Sequence, residues 1–259
     1  MKVVVCVKQI PDPNTTGQLD PTTHLLKREG VEVVLDPGDE FGVEAGLQLA
    51  ESQGGEVTVV SMGPERGIDA VRKALAMGAA KGILISDDGL RGSDALTTAR
   101  VLAAAIRREG FDLVITATES TDGYTGTVSA QLAQQLDWPS LTFAKHVEVN
   151  GDTLTIQRQT EAGYDVVESS LPAVVSVTAG VVEPRYPSFK GIMAAKNKPV
   201  DACTVADLGL SPDEVGWAGA RQEITNVAAA PAREAGEKIE DDGSAHEQIV
   251  AFLEQLKVI

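Results

Sequence analysis

Aromatic residues, cysteines and basic residues are all scarce in this chain of 259 residues. Phe, Trp and Tyr make up 4% of it, and Cys6 and Cys203 are its only cysteines. Two cysteines are too few for a disulfide framework or a thiolate metal site, so we expect both to be reduced and structural. The formal net charge of −16 argues against nucleic acid or an anionic membrane as the main partner, although a locally basic patch can still meet an acidic protein.

Long apolar runs and the common catalytic motifs are missing as well. No apolar run approaches the ~18 residues of a membrane span, and MKVVVCVKQI turns polar too early for a signal peptide, so we expect a cytoplasmic protein without membrane insertion. There is no GxSxG, HExxH or Walker A motif, and His24, His146 and His246 lack metal-ligand spacing. The acid pairs 87–88 and 241–242 are typical of solvated turns. We therefore expect no catalytic residues and no metal, with binding as the main chemistry.

The residues that remain predict an α/β fold. Apolar residues make up 43% of the chain, and the many Ala, Val and Gly suit parallel strands covered by helices. Right-handed crossovers between consecutive β-α-β units give a doubly wound, mostly parallel sheet. We expect Asp39 to cap the first helix and Ser93 the third. The predicted extended segments are residues 2–8, 31–35, 56–62, 82–86, 113–115 and 172–178.

Two further parts of the chain have different patterns. Residues 141–170 alternate apolar and polar side chains around the turn signal Asn150-Gly151, which predicts an antiparallel edge hairpin. Beyond residue 199, VADLGL predicts a short helix, a linker runs through Pro231 and Arg233, and the acidic stretch EKIEDDGS precedes a last helix. We interpret residues 200–259 as an extended C-terminal arm whose helix docks on another chain or on its own domain. The apolar face of that helix carries Ile249, Val250, Phe252, Leu253 and Leu256.

Residues 111–139 predict a buried strand, a polar loop and an amphipathic helix, which is the order found in nucleotide sites. In the loop, Gly123 and Gly126 allow close approach of the backbone to a ligand, and the next helix offers unpaired N–H groups to a phosphate. The alternative is an ordinary βα turn with an N-cap, because no complete P-loop or GxGxxG is present. The hydroxyl groups of the loop belong to Ser120, Thr121, Thr125 and Thr127.

Seven blocks of sequence, in order, resemble the β subunits of electron transfer flavoproteins. They are CVKQIPD, LDPGDEFGVEAGLQL, VVSMGPERGIDAVRKALAMGA, ESTDGYTG, LDWPSLTFA, LPAVVSVTAGVVEPRYPSFKGIMAAKNKP and AGEKIEDDG. The resemblance implies an electron-carrier subunit of fatty acid oxidation, not an enzyme, in a heterodimer with an α subunit. It further implies FAD held mainly by α, a buried AMP in β, acyl-CoA-type dehydrogenases as donors and a quinone-reducing flavoprotein as acceptor. Residues 1–199 would form the nucleotide-binding domain.

Carried over position by position, the resemblance implies two sets of binding residues. The nucleotide contacts are Cys6, Asp36, Pro37, Gly38, Asp39, Met62, Ala117, Thr118, Glu119, Ser120, Thr121, Asp122, Gly123, Tyr124, Thr125, Gly126, Thr127 and Val128. The partner recognition loop is residues 185–194, namely Arg185, Tyr186, Pro187, Ser188, Phe189, Lys190, Gly191, Ile192, Met193 and Ala194. Cys6 and Met62 would act through backbone and shape. Many relatives have Gln-Thr-Gly where this chain has Thr127-Val128-Ser129, which affects side-chain contacts more than backbone ones.

The composition of the recognition loop supports its role independently. Phe189 stands among turn residues where no periodicity would bury it, as expected of an exposed anchor, with folding back on its own domain as the alternative. Nearby cations would steer an acidic partner. These cations are Arg185, Lys190, Lys196 and Lys198.

Three alternative functions stay open on the sequence. Bifurcating relatives bind a second FAD in β, which leaves AMP and FAD as candidates for this site. A hydrolase of the adenine-nucleotide type would need an SGGxDS-like loop after the first strand, where this chain has KQIPDPN. An AMP-binding stress or scaffold protein would lack the PRYPSFKGIM segment and the docking tail. The flavin potential and the particular donors are not encoded in any recognisable motif.

Overall fold

The computed structural model describes residues 1–232, 236 and 238–259. These residues divide into two compact units, Met1–Glu223 and Ile224–Ile259. Residues 200–223, which the sequence assigns to the arm, belong to the first of these units. Arg233 of the expected linker, and Ala235 and Glu237 of the AGEKIEDDG block, lie outside the described residues.

A nine-stranded sheet forms the centre of the first unit. Its order is β11-β5-β4-β1-β6-β10-β7-β8-β9, and neighbours are parallel from β11 as far as β7, after which β8 and β9 continue antiparallel. A separate antiparallel pair consists of β2 and β3. The predicted α/β class, with a mostly parallel sheet and an antiparallel edge hairpin, is confirmed. The strands are β1 Lys2–Cys6, β2 Gln9–Pro11, β3 Val33–Leu35, β4 Glu56–Met62, β5 Lys81–Ile85, β6 Leu113–Ala117, β7 Ser140–Asn150, β8 Thr153–Thr160, β9 Gly163–Ser170, β10 Ala173–Val177 and β11 Val200–Cys203.

Helices cover both faces of this sheet, which makes it doubly wound. Val43 and Leu75, from α1 and α2, lie in the core on one face, while Ile106 and Leu132, from α3 and α4, lie in the core on the other. The central strands are therefore buried on both sides and consist of almost continuous apolar residues. The helices are α1 Pro37–Gln53, α2 Ile68–Met77, α3 Ala95–Arg107, α4 Val128–Leu136, α5 Phe189–Ala195, α6 Gly216–Gly219 and α7 Ala245–Gln255.

The two predicted helix caps are wrong by one or a few residues. The α1 helix is capped by Asp36 instead of Asp39, because Pro37 fits the first helical position and the Asp36 side chain accepts a hydrogen bond from the Gly38 N–H. The α3 helix is capped by Asp94, whose carboxylate accepts from the Thr97 N–H. Ser93 instead donates its hydroxyl to the Leu90 carbonyl.

Strand β11 and helix α5 are among the elements that the sequence did not predict, as are the short elements β2 and α6. Strand β11 pairs with β5 at the sheet edge, and the short helix predicted after it is only a 3-10 turn, Ala206–Leu208. Helix α5 forms where the sequence indicated turn residues, and it packs on α2. Gly191 permits this packing, since a Cβ atom there would come within 2.5 Å of the Ala76 carbonyl oxygen.

Strand β10 occupies a position that its place in the chain does not suggest. It lies between β6 and β7, pairing Val175 with Ile115 on one side and with Leu141 on the other. The α4 helix and the whole β7-β8-β9 meander therefore come between β6 and β10 in sequence, although the two strands are neighbours in the sheet.

The second unit contains the last helix, α7. Its apolar residues are largely exposed, among them Ile249, Phe252 and Leu256. Within the described part of the chain, every helix is too short or too polar to span a bilayer.

Candidate functional site

The polar loop between β6 and α4, residues 118–127, lies at the point where the direction of chain winding reverses. Strands β1 and β6 are parallel neighbours, but α1 packs on one face of the sheet and α4 on the other. Open α/β sheets bind ligands in the crevice beyond the carboxyl ends of the strands at this switch point. The ends of β1, β4 and β6 bring Cys6, Met62 and Ala117 to that edge.

Asp36 joins the first turn of α1 to the polar loop. Its buried carboxylate accepts from the Gly38 N–H at 2.9 Å, from the Thr121 hydroxyl at 2.6 Å and from the Thr121 N–H at 2.7 Å. Gly38 lies so close to the loop that a Cβ atom there would be 3.4 Å from the Ala117 Cβ and 3.8 Å from the Glu119 carbonyl oxygen. The structure thus brings together the predicted residues 36–39 and 117–128.

Asp122, inside the loop, is a buried carboxylate with two cationic partners. It accepts from Lys8 Nζ at 2.7 Å and pairs with Arg28 Nη2, and only 3% of its side chain is exposed. Burial by itself raises the pKa of Asp122, but Lys8 and Arg28 outweigh it and hold the pKa below its usual range. Sequence reasoning missed both cations. The position of Lys8, two residues after the end of β1, was an available signal. Arg28 lies in a polar segment without such a signal.

Asp39 and Cys6 lie beside Asp36 in the buried part of the site. The Asp39 carboxyl accepts from the Lys8 N–H at 2.7 Å and is 6% exposed. Burial, reinforced by the nearby charge of Asp36, raises the pKa of Asp39 well above its usual range. Burial and Asp39 likewise raise the pKa of the Cys6 thiol far above neutrality, so the thiol stays protonated. Two carboxyl groups thus lie side by side here, and burial and the neighbouring Asp36 raise the pKa of Asp39.

The first turn of α4 lacks a side-chain cap. Thr127 occupies the N-cap position but makes no side-chain hydrogen bond to the helix, which the ordinary-turn alternative would require. The preceding Gly126 has φ +68°, a left-handed conformation that favours glycine. Ser129, in the first turn, has a buried hydroxyl without a protein partner. Uncapped N–H groups and a spare hydroxyl suit an anionic group such as a phosphate.

The predicted recognition loop, residues 185–194, lies apart from this site on the outer surface of α1 and α2. Arg185 bridges Glu44 and Glu51 of α1, and α5 packs on α2. Two large side chains of the loop point to solvent, with Tyr186 94% and Phe189 80% exposed. The loop thus presents apolar side chains on a fixed support.

Two of the four cations expected to steer a partner are already engaged within the chain. Arg185 is neutralised by the two glutamates, and Lys198 donates its ammonium group to the carbonyls of Leu75 at 2.8 Å and Ala79 at 2.6 Å. The hydrogen bonds of these two side chains point inward, so the steering of an acidic partner stays a prediction that the other two cations support better. Lys190 and Lys196 remain exposed.

This geometry defines a doubly wound α/β domain with a polar binding loop at the switch point of its sheet. The family model described as the electron transfer flavoprotein domain matches residues 23–208. The chain belongs to the electron transfer flavoprotein family, as its sequence blocks predict.

Similar proteins extend over the full chain. The "Electron transfer flavoprotein subunit beta" of Mycobacterium tuberculosis (strain ATCC 25618 / H37Rv) is 44% identical, with 99% of each chain covered. The protein of the same name from Megasphaera elsdenii is 34% identical, with 100% of each chain covered. The "Caffeyl-CoA reductase-Etf complex subunit CarD" of Acetobacterium woodii is 36% identical over 92% of each chain. The similarity to β subunits thus includes the candidate site, α1 and the loop 185–194.

Proposed function

We propose that this chain is the β subunit of a heterodimeric electron transfer flavoprotein and acts as an electron carrier, not as an enzyme with a substrate pocket. The observation that carries the proposal is the tie between Asp36 and Thr121, which joins the start of α1 to the polar loop at the switch point. Full-length similarity to β subunits supports the assignment. A cytoplasmic location stays a prediction of the sequence.

In this proposal the polar loop binds AMP as a structural nucleotide. The uncapped first turn of α4 and the Ser129 hydroxyl fit a phosphate group, and the backbone of residues 121–128 would hold it. Asp36 holds the loop through Thr121, and beside it lies Asp39, whose pKa is raised by burial and by Asp36. FAD, held mainly by the α subunit, supplies the redox chemistry when bound. The role of this chain is to bind, orient and support.

The same proposal assigns two docking surfaces. The loop 185–194 would receive acyl-CoA-type dehydrogenases as electron donors, and its exposed Tyr186 and Phe189 support that role. Residues 200–259 would include the arm that docks on the α subunit, supported by the exposed apolar side chains of α7. Electrons would pass to the FAD shared with α and on to a quinone-reducing flavoprotein.

A second candidate is a bifurcating β subunit that binds a second FAD in place of AMP. The observation in its favour is the 36% identity to a subunit of a caffeyl-CoA reductase-Etf complex. The reading as a nucleotide-dependent hydrolase receives no comparable support, because the full-length relatives are electron transfer flavoprotein subunits.

Co-expression with the α subunit tests the proposal. The complex should be yellow and should release about one AMP and one FAD per heterodimer on denaturation, whereas the chain purified alone should hold little flavin. A flavin spectrum and nucleotide extraction followed by chromatography measure both. Stoichiometric FAD in the isolated chain, reducible by NADH, would replace the AMP assignment with the bifurcating one.

A further inference from the structure

The buried carboxylate of Asp122 is unexpected inside a loop that we propose to bind a phosphate. A carboxylate at such a place repels the ligand unless cations compensate it. Lys8 and Arg28 supply that compensation, since both contact Asp122. The side chains of the two cations are 40% and 33% exposed, compared with 3% for Asp122. The cations are thus accessible from solvent, and the carboxylate is their inner partner.

The two cations are also held in place by contacts that do not involve Asp122. The Lys8 N–H is fixed by the Asp39 carboxyl, and Lys8 Nζ donates to the Ser120 hydroxyl at 3.3 Å. The backbone carbonyl of Arg28 accepts from Arg66 Nη2 at 2.5 Å. Loss of the Asp122 charge would therefore leave Lys8 Nζ at the Ser120 hydroxyl and the Arg28 backbone in place, and would release the Arg28 guanidinium to bind another anion.

Lys8 lies against the loop at Ser120 and Gly123, and Arg28 reaches the loop through the Asp122 carboxylate. A Cβ atom on Gly123 would be 3.9 Å from Lys8 Nζ, and Thr121, the residue before Asp122, is held by Asp36 through two hydrogen bonds. A phosphate chain that extends along the loop from the first turn of α4 toward Ser120 and Asp122 would meet the ammonium and guanidinium groups. Such groups are the preferred partners of phosphate oxygens, with Arg able to bind in a bidentate manner.

We propose that Lys8 and Arg28 form a second anion subsite next to the monophosphate position, and that Asp122 fills this subsite so that the loop accepts a nucleoside monophosphate and discriminates against a nucleoside diphosphate. The inference rests on the proposed nucleotide function of the loop and names the residue that sets its specificity. A second phosphate must either displace Asp122 from its cations or lie beside an uncompensated carboxylate. Both cost binding free energy that a monophosphate avoids.

Replacement of the carboxylate by an amide tests the inference. Heterodimers carrying either the parent chain or Asp122→Asn are stripped of nucleotide, and titration calorimetry gives Kd for AMP and for ADP. In the parent, ADP should bind at least tenfold more weakly than AMP. In the variant the ratio of the two Kd values should fall by about tenfold or more, because both cations become available to the second phosphate. An unchanged ratio overturns the inference.

A matched double variant shows whether improved ADP binding in Asp122→Asn comes from the released cations or from a general loosening of the loop. Asp122→Asn combined with Lys8→Met removes the charges of one ion pair together, and the ratio should return toward the parent value. If ADP binds as well to the double variant as to Asp122→Asn, the Lys8 subsite is refuted.

A third variant keeps the inference testable if Asp122→Asn does not assemble. In Arg28→Gln the carboxylate loses one cation, so the discrimination against ADP should become stronger, and an unchanged ratio again overturns the inference. The parent protein distinguishes the two levels of failure. If it binds neither nucleotide, the proposed nucleotide function fails and this inference fails with it; if it binds AMP while the ratios do not move, only the role of Asp122 is wrong.

Discussion

Arg185 binds Glu44 although 141 residues separate them in the chain. The guanidinium donates to the Glu44 carboxylate at 2.7 Å and 3.0 Å, and the Arg185 N–H adds a third hydrogen bond at 3.2 Å. The Glu44 side chain is 3% exposed. Since α1 begins beside the polar loop and also carries Glu44, one helix supports both the candidate site and the loop 185–194.

Arg185→Met should lower the free energy of unfolding by about 2 kcal/mol at pH 7. This value is below the 3–5 kcal/mol typical of a fully buried pair, because the Arg185 side chain is 35% exposed and partly screened by water. Burial raises the pKa of Glu44, but its hydrogen bonds, mainly with Arg185, outweigh burial and lower the pKa overall. The ion pair therefore stabilises the folded state at pH values above the unfolded pKa of Glu44, and this stabilisation is lost as the pH falls. Urea unfolding should show a smaller difference in unfolding free energy between the parent and Arg185→Met near pH 4 than at pH 7. As a control, Glu51→Gln, at a 59% exposed carboxylate, should cost less than about 0.5 kcal/mol; an equal cost for both variants would contradict the assigned role of Glu44.

Phe189→Ala should slow electron transfer from a partner dehydrogenase while assembly with α, flavin content and AMP content stay at parent levels. The side chain is 80% exposed, so its loss removes little packing within the chain but takes away an anchor of the kind often worth about 2 kcal/mol or more at an interface. Stopped-flow reduction of the flavin by the dehydrogenase measures the effect. Tyr164→Ala, at another exposed aromatic residue on β9, serves as the control and should leave the rate unchanged. A parent rate in Phe189→Ala, or failure to assemble, would remove the recognition role.

Gly126→Val should lower both the nucleotide content and the thermal midpoint of the heterodimer. The residue has φ +68°, and a β-branched side chain there forces the loop out of the conformation that leads into α4. Loss of ligand removes a further stabilisation of roughly 2 to 4 kcal/mol at ligand concentrations a hundred- to a thousandfold above Kd. Gly151→Val is the matched control, with φ +60° in the β7-β8 turn, and should lower only the midpoint. Full nucleotide occupancy in Gly126→Val would show that the loop is not the phosphate site.

Asp39→Asn should stabilise the nucleotide-free protein, and increasingly so as pH rises. Burial and the charge of Asp36 raise the pKa of Asp39, so the folded state keeps a proton that the unfolded chain releases above its own pKa near 4. The folded state binds more protons, which makes stability fall as pH rises between the unfolded and the folded pKa. Asn is neutral throughout and still accepts from the Lys8 N–H, so the gain should grow from pH 4 to pH 8 in denaturant titrations. A constant difference across that range would mean that Asp39 is already ionised in the folded state.

The sequence predicts the parts of the fold whose signals are local. The apolar runs of β1, β4, β6 and β10 and the turn at Asn150-Gly151 determine the sheet and its edge hairpin, and the structure confirms them. Strand β11 escapes prediction because it has four residues, of which Asp201 and Ala202 are exposed, and its partner β5 lies more than 100 residues earlier. Its strand character comes from pairing with the sheet edge and not from its own residues.

The candidate site likewise has a part that the sequence predicts and a part that it does not. The glycines and hydroxyls of residues 118–127 are visible as a loop between a strand and a helix, and the resemblance to the family places residues 36–39 beside it. The ion pair between Arg28 and Asp122 joins residues 94 positions apart, and no periodicity links them. Asp36 gives a further example, since its carboxylate caps α1 and holds Thr121 at once, and only the folded chain shows the second contact.

The insertion of β10 between β6 and β7 has a consequence for the order in which the chain acquires its shape. A growing chain that has reached Asn150 already contains β7, but the sheet has an open slot beside β6 until residues 173–177 are made. On the strands that flank the slot, Leu113, Ile115 and Leu141 pair with residues of β10 and are buried in the finished sheet. Closure of this sheet is therefore a late, non-local event, of the kind that slows folding and leaves apolar edges open to wrong pairings.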